Sequence, residues 1–229
     1  MPGGGDVRLI DVDPQHWLVV SSVREKMYDE AALERGLQQL EWIGPRAVAH
    51  EAVVEHFLSS ATVLPMQLFT LFKGDERAVE HIAADRRRLL RILSKIEGQV
   101  EWGLRIMWEP PAERDGTRRA PKRQPARSGA DYLARKRDQR ALLRVRLGRA
   151  KVAAERLYRA VAREATAARR RSEVEQAAPG SRLLVDAAFL VPAKQGSAFR
   201  TALRRHSSAA RKSEMVVSVT GPWPAYNFI

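Results

Sequence analysis

The sequence predicts an α+β fold in which short strands and longer helices follow one another irregularly along 229 residues. Two observations support this prediction. Apolar residues recur at spacings of three and four in the segments 30–58 and 131–171, which is typical of helices. Residues 99–108, 183–191 and 215–220 are short, rich in Val, Leu and Ile, and mostly bounded by Gly or Pro, which is typical of strands.

In the first half, residues 7–10 and 17–23 are predicted to be strands joined by a turn at Asp13-Pro14. Asp29 is the expected N-cap of a helix that begins at Glu30. Gly44-Pro45 is expected to interrupt this helix, after which a second helix follows. Residues 63–72 are predicted to be a strand, mostly apolar on both faces. Asp75 is the expected cap of one long helix that ends at Gly98.

In the second half, the strand 99–108 precedes a variable basic loop at 109–129, which contains four prolines and no apolar period. The longest predicted helix covers 131–171. A further weak strand around 169–174, the strand 183–191, a short helix capped by Ser197 and the strand 215–220 complete the order βαββαβ. This order predicts a ferredoxin-like domain. A heptad seam is expected along the long helix at Leu143, Leu147, Ala150, Ala154, Leu157 and Val161.

Charge is distributed unevenly along the chain. The formal net charge is +13, and the segment 113–171 holds 20 of the 40 Lys and Arg but only 6 of the 27 Asp and Glu. The remainder, with 20 basic and 21 acidic residues, is nearly neutral. The basic segment therefore behaves as a separate module.

Residue types that would mark an enzyme or a metal site do not form a recognisable pattern. The chain has no cysteine, which excludes disulfides, thiolate metal sites and a cysteine nucleophile. His50-Glu51 with His56 does not have the spacing of a zinc-binding HExxH helix, because Val54 stands at the fourth position after His50. No Walker, dinucleotide or GxSxG motif is present. We therefore predict no catalytic, cofactor-binding or metal-binding residues, and no cofactor.

The N-terminal residues and the apolar runs bear on targeting. The first six residues lack the charged and apolar regions of a signal peptide. The longest apolar runs have the length of a strand, so no membrane span and no membrane partner are expected.

The basic segment allows three interpretations. It is a solvated helix face with a variable loop, a docking surface for an acidic protein, or a module that binds nucleic acid through its phosphates. Tyr132 and Tyr158 are the only aromatic residues in the segment, so a base-stacking platform is not favoured. If the segment is a docking surface, Arg137 and Arg144 are expected to bind the partner protein.

The C-terminal tail, residues 220–229, contains Trp223, Tyr226 and Phe228 in a stretch stiffened by Pro222 and Pro224. Either these aromatic side chains fold back and seal the core of the protein, or they anchor a partner.

Six segments together resemble the GvpL/GvpF family of gas vesicle proteins. The tail resembles its TGPWPPYxF ending, and Glu101-Trp102-Gly103 after Gly98 resembles its GxxEWG element. Four further segments match family motifs in the order in which the family has them. They are Trp42 with His50-Glu51 and Val53, the LPxRFGTxF-like stretch at 64–72, Gly129 with Tyr132-Leu133, and the AAYLV-like stretch at 187–191.

The sequence departs from the family pattern at a few positions. Gln67, Leu68 and Phe69 stand where the family usually has Arg, Phe and Gly, and Ala225 replaces the last tail proline. The chain also begins near what resembles the family's glycine-rich turn. An opening strand is therefore expected to be missing, through a truncated start or a sheet with one strand fewer.

The resemblance implies a two-domain α+β protein without enzymatic activity: a small N-terminal α+β domain at 1–98, and a modified ferredoxin-like domain with a long basic helix at 99–229. It implies an accessory or minor structural protein of the gas vesicle, an organelle of the prokaryotic cytoplasm. Its expected partners are the hydrophobic shell protein and other accessory proteins, met at nucleation or early growth. The expected partner-binding residues are Trp223, Tyr226, Phe228, Trp102, Arg137 and Arg144.

Overall fold

The helices and strands of the chain, taken from a computed structural model, fall into two units. The structure describes residues 4–58, 61–109, 129–171, 181–210 and 214–229. One unit comprises Met1–Gly98 and Pro224–Ile229, and the other comprises Gln99–Trp223. The contacts of the last six residues thus group them with the first unit, whereas the sequence predicts them in the second domain. The division into two domains stays a prediction.

The first unit combines a two-stranded antiparallel sheet with five helices in its described residues. Its elements are β1 (Gly4–Asp13), β2 (His16–Val23), α1 (Glu25–Tyr28), α2 (Glu30–Gly36), α3 (Leu40–Leu58), α4 (Asp75–Ala84) and α5 (Arg86–Ile96), with a short 3-10 helix (Tyr226–Phe228) at the chain end.

The hairpin of β1 and β2 and the start of α2 confirm the sequence predictions. Leu9 pairs with Val19, and the Gln15 N–H donates to the Asp13 carboxylate at 2.9 Å across the turn. Hydrogen bonds from the Gln15 N–H first, and then from Arg86 and His16, hold the pKa of Asp13 below its usual value. Asp29 caps α2 by accepting from the Ala32 N–H at 2.8 Å.

The expected break at Gly44-Pro45 is wrong, because α3 runs through Pro45 and the chain bends earlier, between Gly36 and Leu40. Packing explains the shift. A Cβ on Gly36 would lie 2.5 Å from the Trp42 ring, so the end of α2 and the start of α3 approach closely at this glycine. Pro45 is the sixth residue of α3 and lacks the N–H of its position, so the helix passes through it with one backbone hydrogen bond fewer.

Two further predictions for the first unit are corrected. Residues 63–72 form no strand; a turn occurs there, in which the Thr70 N–H donates to the Gln67 carbonyl at 3.0 Å and Phe69 has φ +67°. The expected long helix is two helices separated by Asp85, and Asp75 is the first residue of α4, with Gly74 as its N-cap. The Asp75 carboxylate binds Arg8 at 2.7 Å, so a tertiary contact replaces the expected cap. Gly98 has φ +63°, as a glycine that ends a helix commonly does.

Within its described residues, the second unit is a four-stranded antiparallel sheet, in the order β4-β5-β3-β6, with two α-helices. This strand order confirms the ferredoxin-like prediction. The elements are β3 (Gln99–Trp108), α6 (Gly129–Ala162), β4 (Ala167–Arg170), β5 (Arg182–Pro192), a 3-10 turn (Ala193–Gln195), α7 (Gly196–Ala210) and β6 (Met215–Trp223). Most of the predicted 109–129 loop lies outside the described residues.

The predicted 131–171 helix is too long at its C-terminal end, because α6 ends at Ala162 and β4 follows. Ala167 pairs with Leu190 and Arg170 with Ala187, and the Thr166 N–H donates to the Leu190 carbonyl at 2.8 Å. Pairing with β5 therefore overrides the helix propensity of this Ala- and Arg-rich segment. The weak strand expected at 169–174 begins two residues earlier. Ser197 lies inside α7, which begins at Gly196.

The core of the second unit lies between one face of the sheet and the two helices. Alternate residues of β3 and β5 enter it, among them Trp102, Leu104 and Phe189. Ala150, Ala154, Leu157 and Val161 of the predicted seam are at most 5% exposed, whereas Leu143 is 41% exposed. The C-terminal half of the seam therefore packs on the sheet, and the N-terminal half of α6 leaves its apolar side chains exposed.

Candidate partner-binding surfaces

Contacts with α3 and α5 hold the terminal 3-10 helix in the first unit. The Tyr226 hydroxyl donates to the Glu51 carboxylate on α3. The Lys95 ammonium donates to the Phe228 carbonyl at 3.0 Å and lies 5.5 Å from the Phe228 ring centroid. Phe228 is 6% exposed. Tyr226 and Phe228 thus fold back on their own unit, which favours the first of the two alternatives for the tail. Their binding to a partner stays a prediction.

Replacing Tyr226 with Phe is expected to loosen the terminal 3-10 helix. The change removes the hydroxyl that donates to Glu51, and the other carboxylate oxygen of Glu51 is buried without a hydrogen bond to a described residue. A hydrogen bond to a charged group contributes about 1.5–3 kcal/mol, so amide exchange at 226–229 should accelerate roughly tenfold or more. Tyr132→Phe is the matched control, since Tyr132 is 55% exposed on α6. Unchanged exchange in Tyr226→Phe would show that the hydroxyl does not hold the tail.

The two expected tryptophans have opposite environments. Trp223, at the end of β6, is 41% exposed. Trp102 is 5% exposed, and its ring centroid lies 6.1 Å from that of Phe199. In this structure Trp223 is therefore available to a partner, while Trp102 serves the core. The role of both in partner binding stays a prediction.

Arg137 and Arg144 lie on the N-terminal half of α6, and both are exposed. Within the described part of the chain, no carboxylate forms an ion pair with either guanidinium. These cations are thus positioned to meet an acidic partner, and their role stays a prediction.

A cluster of aromatic rings around Arg46 was not predicted. The Arg46 guanidinium carbon lies 3.8 Å from the Trp42 ring centroid and 5.4 Å from that of Tyr28, and its Nη1 donates to the Trp42 carbonyl at 2.8 Å. Phe69 adds a third ring, 5.2 Å from Trp42. The signal in the sequence is an aromatic residue four positions before an arginine on one helix. Because Arg46 is only 6% exposed, this cluster holds the fold of the first unit.

An exposed apolar face on the hairpin was also not predicted. Val7, Leu9 and Trp17 are 45%, 53% and 55% exposed. Leu9 pairs with Val19 and Asp11 with Trp17, so Leu9 and Trp17 are diagonal neighbours on one face. The alternation of Val7 and Leu9 with polar residues indicates that face, but only the fold shows that the face remains uncovered.

One buried carboxylate in the second unit forms an ion-pair cluster. Asp186 on β5 accepts from Arg171 Nε at 2.8 Å and from Arg105 Nη2 at 3.2 Å. Its side chain is 6% exposed. This carboxylate between two guanidiniums connects β3 to β5 and to the residue after β4, so the cluster stabilises the fold of the second unit.

Two other features bear on the chemistry of the chain. The described residues contain no group of three or more His, Cys, Asp or Glu that would hold a metal ion. Not one helix in the described part of the chain combines the length and hydropathy that crossing a bilayer requires.

Comparisons with known proteins agree with one another. The family model described as gas vesicle synthesis protein GvpL/GvpF matches residues 2–229. A curated relative, gas vesicle protein L from Streptomyces sp. (strain CB03234), is 29% identical over 213 residues, which covers 92% of this chain and 78% of the relative.

Two crystal structures of gas vesicle protein GvpF have a similar fold. The structure from Anabaena sp. PCC7120 gives a TM-score of 0.66 at 16% identity, and covers 97% of this chain and 87% of its own. The structure from Microcystis aeruginosa gives a TM-score of 0.59 at 16% identity, with coverages of 97% and 88%. Because the family model extends over nearly the whole sequence, the chain belongs to the gas vesicle synthesis protein family GvpL/GvpF.

Proposed function

We propose that the chain is a non-enzymatic accessory protein that binds the hydrophobic shell protein and other accessory proteins at nucleation or early growth of the gas vesicle, within the cytoplasm. Membership of the family supports a role in gas vesicle formation. The finer proposal draws on the surfaces described above, none of which has the arrangement of a catalytic centre.

The observation that carries the proposal is the apolar face of the hairpin formed by β1 and β2. Val7, Leu9 and Trp17 each expose 45% or more of their surface on two paired strands. Neighbouring exposed apolar side chains mark surfaces that bind other proteins, and tryptophan is enriched among the residues that dominate interface energies. A hydrophobic partner such as the shell protein would cover this face.

Co-purification of the chain with purified shell protein tests the proposal. The double variant Leu9→Ala/Trp17→Ala should retain roughly a tenth or less of the shell protein that the unaltered chain retains, since two central apolar contacts are truncated. Leu40→Ala/Val48→Ala is the matched control, because these side chains are 80% and 71% exposed elsewhere in the same unit.

Two outcomes would overturn the proposal. One is the absence of binding by the unaltered chain together with normal vesicles in cells that lack it. The other is an equal loss of binding in both double variants, which would show that the hairpin face is not the site.

A further inference from the structure

An open apolar groove runs along the outer side of α6 in the second unit. It has a volume of about 760 Å3 and extends from Val145 to Ala160, with His206 of α7 on its wall. At 1.5 Å per residue this stretch of α6 is about 22 Å long, which matches roughly four helical turns of a partner. The apolar lining consists of Val145, Gly148, Val152, Ala153, Leu157 and Ala160.

The side chains along the groove have the pattern of a surface that receives a helix. Val145 and Val152 are seven residues apart and are 54% and 53% exposed. Gly148 lies between them, and no described atom comes within 4 Å of the place where its Cβ would be. A glycine flanked by two valines one heptad apart leaves a shallow depression into which a side chain of a second helix fits.

The charges along the groove are of one sign. Arg149 and Arg156 belong to its lining, and no carboxylate does. Glu155, the residue before Arg156, is engaged elsewhere: Arg159 donates to it at 2.8 Å and Arg170 donates to its other oxygen. Hydrogen bonds from Arg159 first, and then from Arg170, lower the pKa of Glu155. Arg149 and Arg156 form no ion pair with any described carboxylate, so both are available to an acidic group.

We propose that this groove binds an acidic amphipathic helix of another accessory protein. The inference rests on the proposed function in that it names the chemistry of one of the partners. The apolar side chains of the incoming helix would fill the space over Gly148 between the two valines. Its acidic residues would meet Arg149 and Arg156.

The same observations disfavour two other occupants. A second copy of this chain would offer its own α6, which carries ten Lys and Arg against three Asp and Glu and would bring like charges together. Nucleic acid would meet the two arginines, but the apolar lining would gain little from contact with phosphates, and no Phe, Tyr or Trp lines the groove to form a base-stacking platform.

The test measures fluorescence anisotropy of labelled probes with the purified full chain. The probe is a synthetic helix of about 16 residues, with Leu at helical spacing on one face and Glu on its flanks. A peptide of the same composition in scrambled order is the control probe, together with a single-stranded oligonucleotide. The patterned peptide is expected to bind at least roughly tenfold more tightly than the scrambled peptide.

Matched chain variants separate the groove from general charge attraction. Arg149→Glu/Arg156→Glu and Lys136→Glu/Arg140→Glu each lower the formal net charge from +13 to +9, but the second pair lies on the other side of α6. The first pair, and Val152→Glu as a third variant, should weaken peptide binding roughly tenfold, while the second pair should change it by less than about threefold.

Each outcome decides the question. Equal binding of both peptides, equal losses in both double variants, or tighter binding of the oligonucleotide would overturn the proposal, as would self-association through the groove in sedimentation experiments. Shell-protein binding should be retained by the groove variants. A failure of the groove proposal would therefore be distinguishable from a failure of the proposed function, which would show as loss of shell-protein binding by the unaltered chain.

Discussion

Replacing Trp102 with alanine is expected to destabilise the second unit by about 3–5 kcal/mol, the usual cost of truncating a large buried aromatic side chain. The indole is 5% exposed, packs 6.1 Å from the Phe199 ring centroid, and also lies against Gly196. A cavity there would touch β3 and the start of α7 at once, and neither element has room to collapse without disturbing the sheet. Urea denaturation monitored by circular dichroism measures the loss.

Trp223→Ala is the control for this experiment, since it removes the same side chain from a position that is 41% exposed. It should change the free energy of unfolding by roughly 0.5 kcal/mol or less. If Trp223 binds a partner, Trp223→Ala should fold normally but weaken co-purification with a vesicle protein. A Trp102→Ala protein as stable as the unaltered chain would contradict the packing described here.

Replacing Gly221 with alanine is expected to destabilise the protein by about 3 kcal/mol, through two effects that add at one residue. Gly221 has φ +115°, a conformation that residues with a Cβ rarely adopt. The added Cβ would lie 2.7 Å from the Glu101 carbonyl oxygen and 3.2 Å from the Trp102 Cα, and both are backbone atoms of β3 that move only with the sheet.

Gly148→Ala is the control for Gly221→Ala, because it adds the same methyl group within the same unit. No described atom lies within 4 Å of the Cβ position at Gly148, and the residue is in the interior of α6. Because alanine has a higher helix propensity than glycine, it should stabilise α6 there by about 0.5–1 kcal/mol. Thermal unfolding of both variants measures the difference, and a Gly221→Ala protein that unfolds at an unchanged temperature would refute the steric argument.

The position of Gly221 also explains why the tail motif contains a glycine. Glu101 pairs with Trp223 and Gly103 with Thr220, so β6 contains an extra residue opposite Trp102. A bulge that brings one backbone this close to another requires glycine. The sequence predicted that the last strand ends at Thr220 and that a stretch stiffened by prolines follows, whereas the structure shows that the strand continues to Trp223.

The strands β3 and β5 were predicted better than the interruptions between helices. The bounds of β3 agree with the prediction at 99–108, since Val100, Trp102, Leu104 and Ile106 alternate with polar or small residues. The break between α2 and α3 was misplaced, because Pro45 is a strong local signal whereas the contact of Gly36 with Trp42 joins two elements. The end of α6 was misplaced for a related reason, since β4 forms only by pairing with another strand, and Ala167 pairs with Leu190, a residue more than 20 positions further along the chain.

The resemblance of six sequence segments indicated the family. Residue order, local periodicity and composition determined the α+β class, the ferredoxin-like order of the second half and the concentration of positive charge in the segment 113–171. Only the tertiary structure decided which aromatic side chains are buried, such as Trp102, and which are exposed, such as Trp17 and Trp223. It alone showed Glu51 meeting Tyr226 across 175 residues, and Asp186 held between Arg105 and Arg171. The physical reason is that burial and ion pairing depend on which elements cover one another, and neither local periodicity nor composition encodes those contacts.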